Sequence, residues 1–196
     1  MALMNRQERR LALIVSRLVQ ANPFGQEWLD LEREALGQAF QSVGRCHVWD
    51  PAQPEHPNLT AISHRAEELV ERLRRRLQRG PVPSPQDQLL YQDVAFYVLY
   101  RQYRFDFDGM IAAAMADRAV DRVEFWPAFR RRFEELLPEI LVPCRPAPEH
   151  IFASFFQIRR AFAFIFRFIM GTSRAAMRLR ADVWNSIFTC NLRRYL

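Results

Sequence analysis

The sequence predicts an all-α protein: a multi-helix bundle, then a long aromatic helix, then a capped basic helix. Apolar residues recur at spacings of three and four through every long stretch. Proline-rich breakers at 50–57, 80–85 and 143–148 separate those stretches into groups, and no run of alternating strand pattern rivals them.

Each element has its own justification. Leu11, Ile14, Val15, Leu18 and Val19 form a stripe that predicts a helix over 6–21, which Asn22-Pro23 and Gly25 end. Trp28, Leu31, Ala35, Leu36, Ala39 and Phe40 predict a second over 26–42, before Gly44. The prolines at 51, 54 and 57 lack donors and restrict their neighbours, so 50–57 is read as a loop. A third helix starts at Thr60 or Ser63 as cap and continues through Gln78. Its acids come first and its arginines last, matching the helix dipole, with Glu68–Arg72 and Glu71–Arg75 as pairs on a solvated face.

After the second breaker, Leu89, Leu90, Val94, Ala95, Val98 and Leu99 mark the core side of a helix over 86–104. Its five aromatics, interleaved with Arg101 and Arg104, are read as core packing in preference to a base-stacking surface. A shorter helix is expected over 108–121, with Asp106 and Asp108 capping and solvating its start. Another follows over 124–141, with Trp126, Phe129, Phe133, Leu136 and Ile140 at helical spacing and Pro127 in the first turn. These elements make a domain over 1–148.

The run 151–170 resembles a membrane span in length, but Arg159 and Arg160 fall mid-run, where each costs about 2.5–3.5 kcal/mol on insertion scales. At roughly 100° per residue, Arg159, Arg160 and Arg167 share one narrow polar stripe on an otherwise apolar helix. Such a helix can pack against its own domain, pair with its copy, or lie on a membrane surface. So broad an aromatic face points to a homodimer through 149–170, with Phe155, Phe156, Phe162, Phe166 and Ile169 as linker or oligomer interface. Arg159, Arg160, Arg167 and Arg178 are the candidate basic contacts.

Charge is unevenly spread. The net charge is +6: residues 151–196, with eight arginines against Asp182, carry +7, and the residues before them sum to −1. A nucleic acid or another acidic surface is the partner class this invites. All 28 basic residues are arginine. Cys46, Cys144 and Cys190 lie far apart, so neither a disulfide framework nor a zinc site is expected, and the compartment reads as reducing cytoplasm. The opening Met-Ala-Leu-Met-Asn-Arg is unlike a signal peptide.

The segment Phe168-Ile-Met-Gly171-Thr-Ser173-Arg-Ala-Ala-Met177-Arg-Leu-Arg180-Ala-Asp-Val183 resembles the start of the central ATPase (AAA+) domain of bacterial sigma-54-dependent transcriptional activators. Those domains open with an apolar pair, Gly-x-Ser, Met, a Leu/Ile-Arg pair and a further aliphatic residue. The similarity covers about 28 residues with the stretch that follows. It implies that 171–196 begin a truncated ATPase domain, that Ile169, Met170 and Gly171 line a nucleotide pocket in the complete protein, and that Ser173 caps the next helix. It also implies ATP and magnesium as cofactors of the full-length protein, and sigma-54 RNA polymerase and DNA as partners reached through absent domains. Residues 1–148 would then be the regulatory or sensor domain, with 149–170 as linker helix. The chain itself departs from the family: it has no Gly-x-x-x-x-Gly-Lys-Ser/Thr and no lysine to neutralise a triphosphate, so it is not expected to hydrolyse ATP.

Catalysis has little to stand on. His47, His56, His64 and His150 are scattered, without metal-ligand spacing. Asp106, Asp108, Asp117 and Asp121 could do acid–base work or hold a metal, yet they suit a helix start equally well. Cys46-His47 and a reactive Cys144 are weaker candidates. The reading is a non-catalytic regulatory domain without metal, whose signal changes packing around 86–142. The alternative is a stand-alone helical module binding protein or nucleic acid.

Overall fold

A computed structural model describes residues 3–42, 56–80, 83–117, 123–139, 142 and 145–188. Those residues form seven α-helices and one short 3-10 turn, with no strand among them.

Helix α1 (Arg6–Gln20) starts at a capping box: the Glu8 amide donates to Asn5 Oδ1 (2.9 Å) and the Asn5 amide donates to the Glu8 carboxylate (3.0 Å). Helix α2 (Gln26–Leu36) stops at Gly37, whose φ of +56° favours glycine, and a 3-10 turn (Gly37–Ala39) follows. The helix expected to reach 42 therefore ends six residues early.

Helix α3 (Pro57–Leu77) starts ahead of the Thr60 or Ser63 expected as its cap. Pro57 occupies the first turn, where its missing donor costs nothing, and His56 Nδ1 accepts from the Asn58 amide at 3.1 Å. Ser63 lies inside the helix, donating to the Leu59 carbonyl at 2.7 Å. The Glu68–Arg72 pair forms at 3.7 Å, but Glu71 bonds Arg74 at 2.8 Å and Arg132, from a later helix, at 2.9 Å, not Arg75. The face read as solvated thus ties two helices together.

Helix α4 (Pro85–Met115) is capped by Ser84 and continues for 31 residues. Two helices were expected here, at 86–104 and 108–121. They are one rod, because Tyr103, Phe107 and Ile111 carry a single buried stripe past Gly109. A lone glycine costs about 1 kcal/mol in a helix interior, less than burying a single Phe returns. Asp106 and Asp108 therefore cap no helix start.

Helix α5 (Trp126–Leu136) has Pro127 in its first turn as expected. It stops short of 141, and Ile140 lies outside the described residues. Helix α6 (Pro148–Phe168) carries the aromatic run, and α7 (Arg174–Phe188) the basic segment.

Helix α4 is the hub, packing against α1, α3, α5 and α6, while α7 rests on α6. One core joins them: Leu18, Leu69, Tyr91, Leu99, Phe107, Phe129, Phe155, Phe162 and Trp184 belong to a single buried cluster. Helix α6 takes the first of its three open fates, packing into the domain that precedes it. No helix among the described residues is long and apolar enough to cross a membrane.

Candidate functional site

The segment 168–183 returns onto the beginning of the chain. Asn22 follows α1, and its side chain works in two directions. Its Oδ1 accepts from the Phe24 amide at 2.9 Å, fixing the turn into α2, while its Nδ2 donates to the Ala181 carbonyl and Asn185 Oδ1, both at 2.9 Å. Phe24, presented by that turn, meets Phe162 (5.7 Å between ring centroids), Phe166 (5.7 Å) and Trp184 (6.0 Å). Trp184 packs on Phe162 at 4.6 Å and on Phe188 at 4.4 Å. Tilted and edge-on pairs of this kind add about 0.5–1.5 kcal/mol each beyond the area they bury. The result is an aromatic joint between the α1–α2 corner, α6 and α7.

The elbow between α6 and α7 is closed from within. Arg180 donates to the Ile169 carbonyl (2.8 Å) and the Gly171 carbonyl (3.0 Å), satisfying acceptors that the end of α6 leaves open, and its guanidinium lies over Phe166 at 4.6 Å. Gly171 has φ +98°, a conformation that favours glycine. Ser173 caps α7 as expected, its hydroxyl accepting from the Ala176 amide at 3.2 Å.

A cavity of about 60 Å³ opens beside Trp184, where α1, α4, α6 and α7 converge. Leu18, Ala21, Phe96, Phe155, Phe162 and Trp184 line it, and the buried Arg101 of α4 reaches its wall. Arg101 Nε donates to Ser63 Oγ at 3.1 Å. Burial lowers the Arg101 pKa, and the neighbouring cations Arg104 and Arg159 lower it further against the pull of Glu32. A guanidinium starts so far above neutrality that Arg101 stays charged.

The predicted site residues divide. Arg159 leaves the set of basic surface contacts: it is 5% exposed and pairs with Asp108 of α4 through two parallel hydrogen bonds, one of them 2.9 Å. Burial acts against its charge, but Tyr100 and Asp108 outweigh that and raise its pKa. The polar stripe of α6 is thus split, with Arg159 inside and Arg160 and Arg167 exposed. Arg178 is exposed on α7. Of the expected interface residues, Phe155 and Phe162 are buried in the chain's own core and unavailable to a second copy, while Phe156, Phe166 and Ile169 are half-buried against it. Beside them Phe168 and Met170 stand 70% and 83% exposed, with Arg167 over the Phe168 ring.

Ile169, Met170 and Gly171 supply an apolar edge at the elbow and nothing that would hold phosphates, so these residues alone do not fit a nucleotide. Among the described residues no group of three or more His, Cys, Asp or Glu is placed to hold a metal ion. His56 serves as a helix cap, His64 lies 3.7 Å from Glu68, and His150 sits in the first turn of α6. Asp108 is engaged by Arg159, and Asp117 follows the end of α4 with φ +53°. His47, Cys46, Cys144, Cys190 and Asp121 lie outside the described residues.

Reasoning from the sequence missed Asn22, Phe24 and Arg101. In the sequence Asn22 reads as punctuation, and Arg101 as one of the arginines interleaved with the aromatics of 86–104. Compared with protein-family models, with curated proteins and with solved structures, the chain matches none.

Proposed function

We propose that this chain is the non-catalytic regulatory region of a sigma-54-dependent transcriptional activator, joined through α6 to the start of its ATPase domain. The observation that carries this reading is the anchoring of α7, the segment bearing the resemblance, to the α1–α2 corner through Asn22 and Trp184. A signal that changes packing in the bundle reaches α7 by two routes, directly at this joint and along α6. The response is a shift between docked and released α7, which alters how attached ATPase domains meet. The protein works in the cytoplasm, and it pairs as a homodimer through the face that α6 leaves open around Phe156, Phe166 and Phe168. ATP and magnesium belong to the domain that follows.

The test is the gene and its output. The reading frame is expected to continue past Leu196 into Gly-x-x-x-x-Gly-Lys-Ser/Thr within a few tens of residues, and deletion of 1–148 is expected to change sigma-54-dependent transcription from a reporter. A stop codon directly after Leu196, or transcription indifferent to the deletion, overturns the reading.

One observation favours the alternative of a stand-alone nucleic-acid-binding module. Arg160, Arg167, Arg174 and Arg178 are all exposed, and Arg167 lies over the exposed Phe168 ring. Binding of single-stranded DNA that falls steeply with salt and weakens on Arg167→Gln would support that module.

A further inference from the structure

The cavity at the joint is where three features of the molecule meet. It is walled by helices from both ends of the chain: Leu18 and Ala21 come from α1 and its cap, and Trp184 comes from α7. Its wall is apolar, with Phe96 and Phe155 contributing ring surface, and the charged wall residue Arg101 directs its Nε away, to Ser63 on α3. Its room, about 60 Å³, is several times what one water needs. Water in such a site finds few partners, whereas a small apolar molecule regains the packing contacts that the void forgoes.

We propose that this cavity is a binding site for a small, uncharged, apolar molecule of only a few non-hydrogen atoms, and that its occupant clamps α7 onto the α1–α2 corner. An occupant touches Trp184, Phe162 and Leu18 together, so it adds contacts that exist only while α7 is docked. By linkage, a ligand that binds the docked state alone stabilises that state. A charged head group is disfavoured, because the surface that the cavity presents to an occupant is almost wholly apolar and offers a charge little to replace its hydration. As a signal site the cavity rests on the regulatory reading above; as a binding site it stands apart from it.

Xenon under pressure is the probe, used with the whole 196-residue chain. Xenon is expected to raise the melting temperature saturably with pressure and to slow amide exchange across α7 several-fold. Formate, small enough to enter but charged, is expected to do neither. Ala21→Ile, whose β-branched side chain suits the extended backbone at that position, and Val19→Phe at the rim each fill the void and should abolish both effects. Met115→Ala, exposed at the far end of α4, should leave them unchanged. No saturable response in the folded wild-type chain overturns the site, as does binding that persists in whichever filled variant folds. Binding without slower exchange in α7 overturns the clamp. None of these outcomes depends on transcription, so failure here and failure of the regulatory reading are separately visible.

Discussion

Removing Asp108 should cost far more than removing its partner Arg159. Arg159 is almost wholly buried, its side chain 6% exposed, while the Asp108 side chain is 28% exposed. Asp108→Asn strips the countercharge and leaves a buried cation facing two others, Arg101 and Arg104, whose guanidinium groups it already disfavours. Breaking a buried pair from one side costs about 3–5 kcal/mol, and partial solvent access at Asp108 reduces this to about 2–4 kcal/mol. Arg159→Met keeps the apolar stem, relieves that repulsion and leaves a carboxylate that water can reach. The lost contacts to Asp108 and Tyr100 then amount to about 1 kcal/mol. Urea denaturation of both single variants and the double variant at pH 7, followed by far-ultraviolet circular dichroism, reads the difference. The double variant should lie close to Arg159→Met, and Asp108→Asn alone should lower the melting temperature by roughly 4–16 °C. If Arg159→Met is as destabilising as Asp108→Asn, the argument that an unbalanced buried cation dominates is wrong.

Gly109→Ala should stabilise the protein by about 0.5–1 kcal/mol, since a methyl group there meets nothing within 4 Å and α4 is continuous through it; a loss in thermal unfolding would restore the two-helix reading. At Glu8 burial opposes ionisation, but the Arg76 hydrogen bond, the Asn5 amide and the charges of Arg76 and Arg72 outweigh it and hold the pKa low. Glu71 is held low in the same way by Arg74 and Arg132. Both depressed groups contribute stability that is present above the unfolded carboxylate range near 4.5 and lost as pH falls through the lower folded values. Stability measured from pH 7 to 3 should therefore drop below about pH 4.5, and less so in Glu8→Gln. Trp184→Ala should release α7 without unfolding the bundle, because α7 packs chiefly on α6 and the α1–α2 corner. Hydrogen exchange should lose protection at 174–188, by about 3–5 kcal/mol of local stability, while amides around Leu99 keep theirs; uniform loss would show that α7 is integral to the core.

Periodicity made the helices legible, because an apolar stripe is a local property of the chain. It failed where a local signal met a distant partner. Asp106 and Asp108 read as a helix start until α5 and α6 bring Phe129 and Phe152 against Phe107. Proline at 57 was counted as loop, although the same residue is a good first-turn helix former. Arg159 did carry a readable sign: with Phe155 and Phe162 at spacings of four and three, it lies on the aromatic face, not beside it. What no local pattern supplies is its acid, 51 residues away, or the bond from Asn22 to Ala181, 159 residues away.

The elbow held by Arg180 has a consequence for mutational tolerance. Its guanidinium binds main-chain carbonyls, which every amino acid provides, so the exposed side chain at 170 is free to change without opening the bend. Gly171, with its positive φ, and Arg180 itself are not. A saturation library across 168–181 should sort accordingly, with folded variants broadly accepted at 170 and rejected at 171 and 180. The bend is thus written in two letters, Gly171 and Arg180.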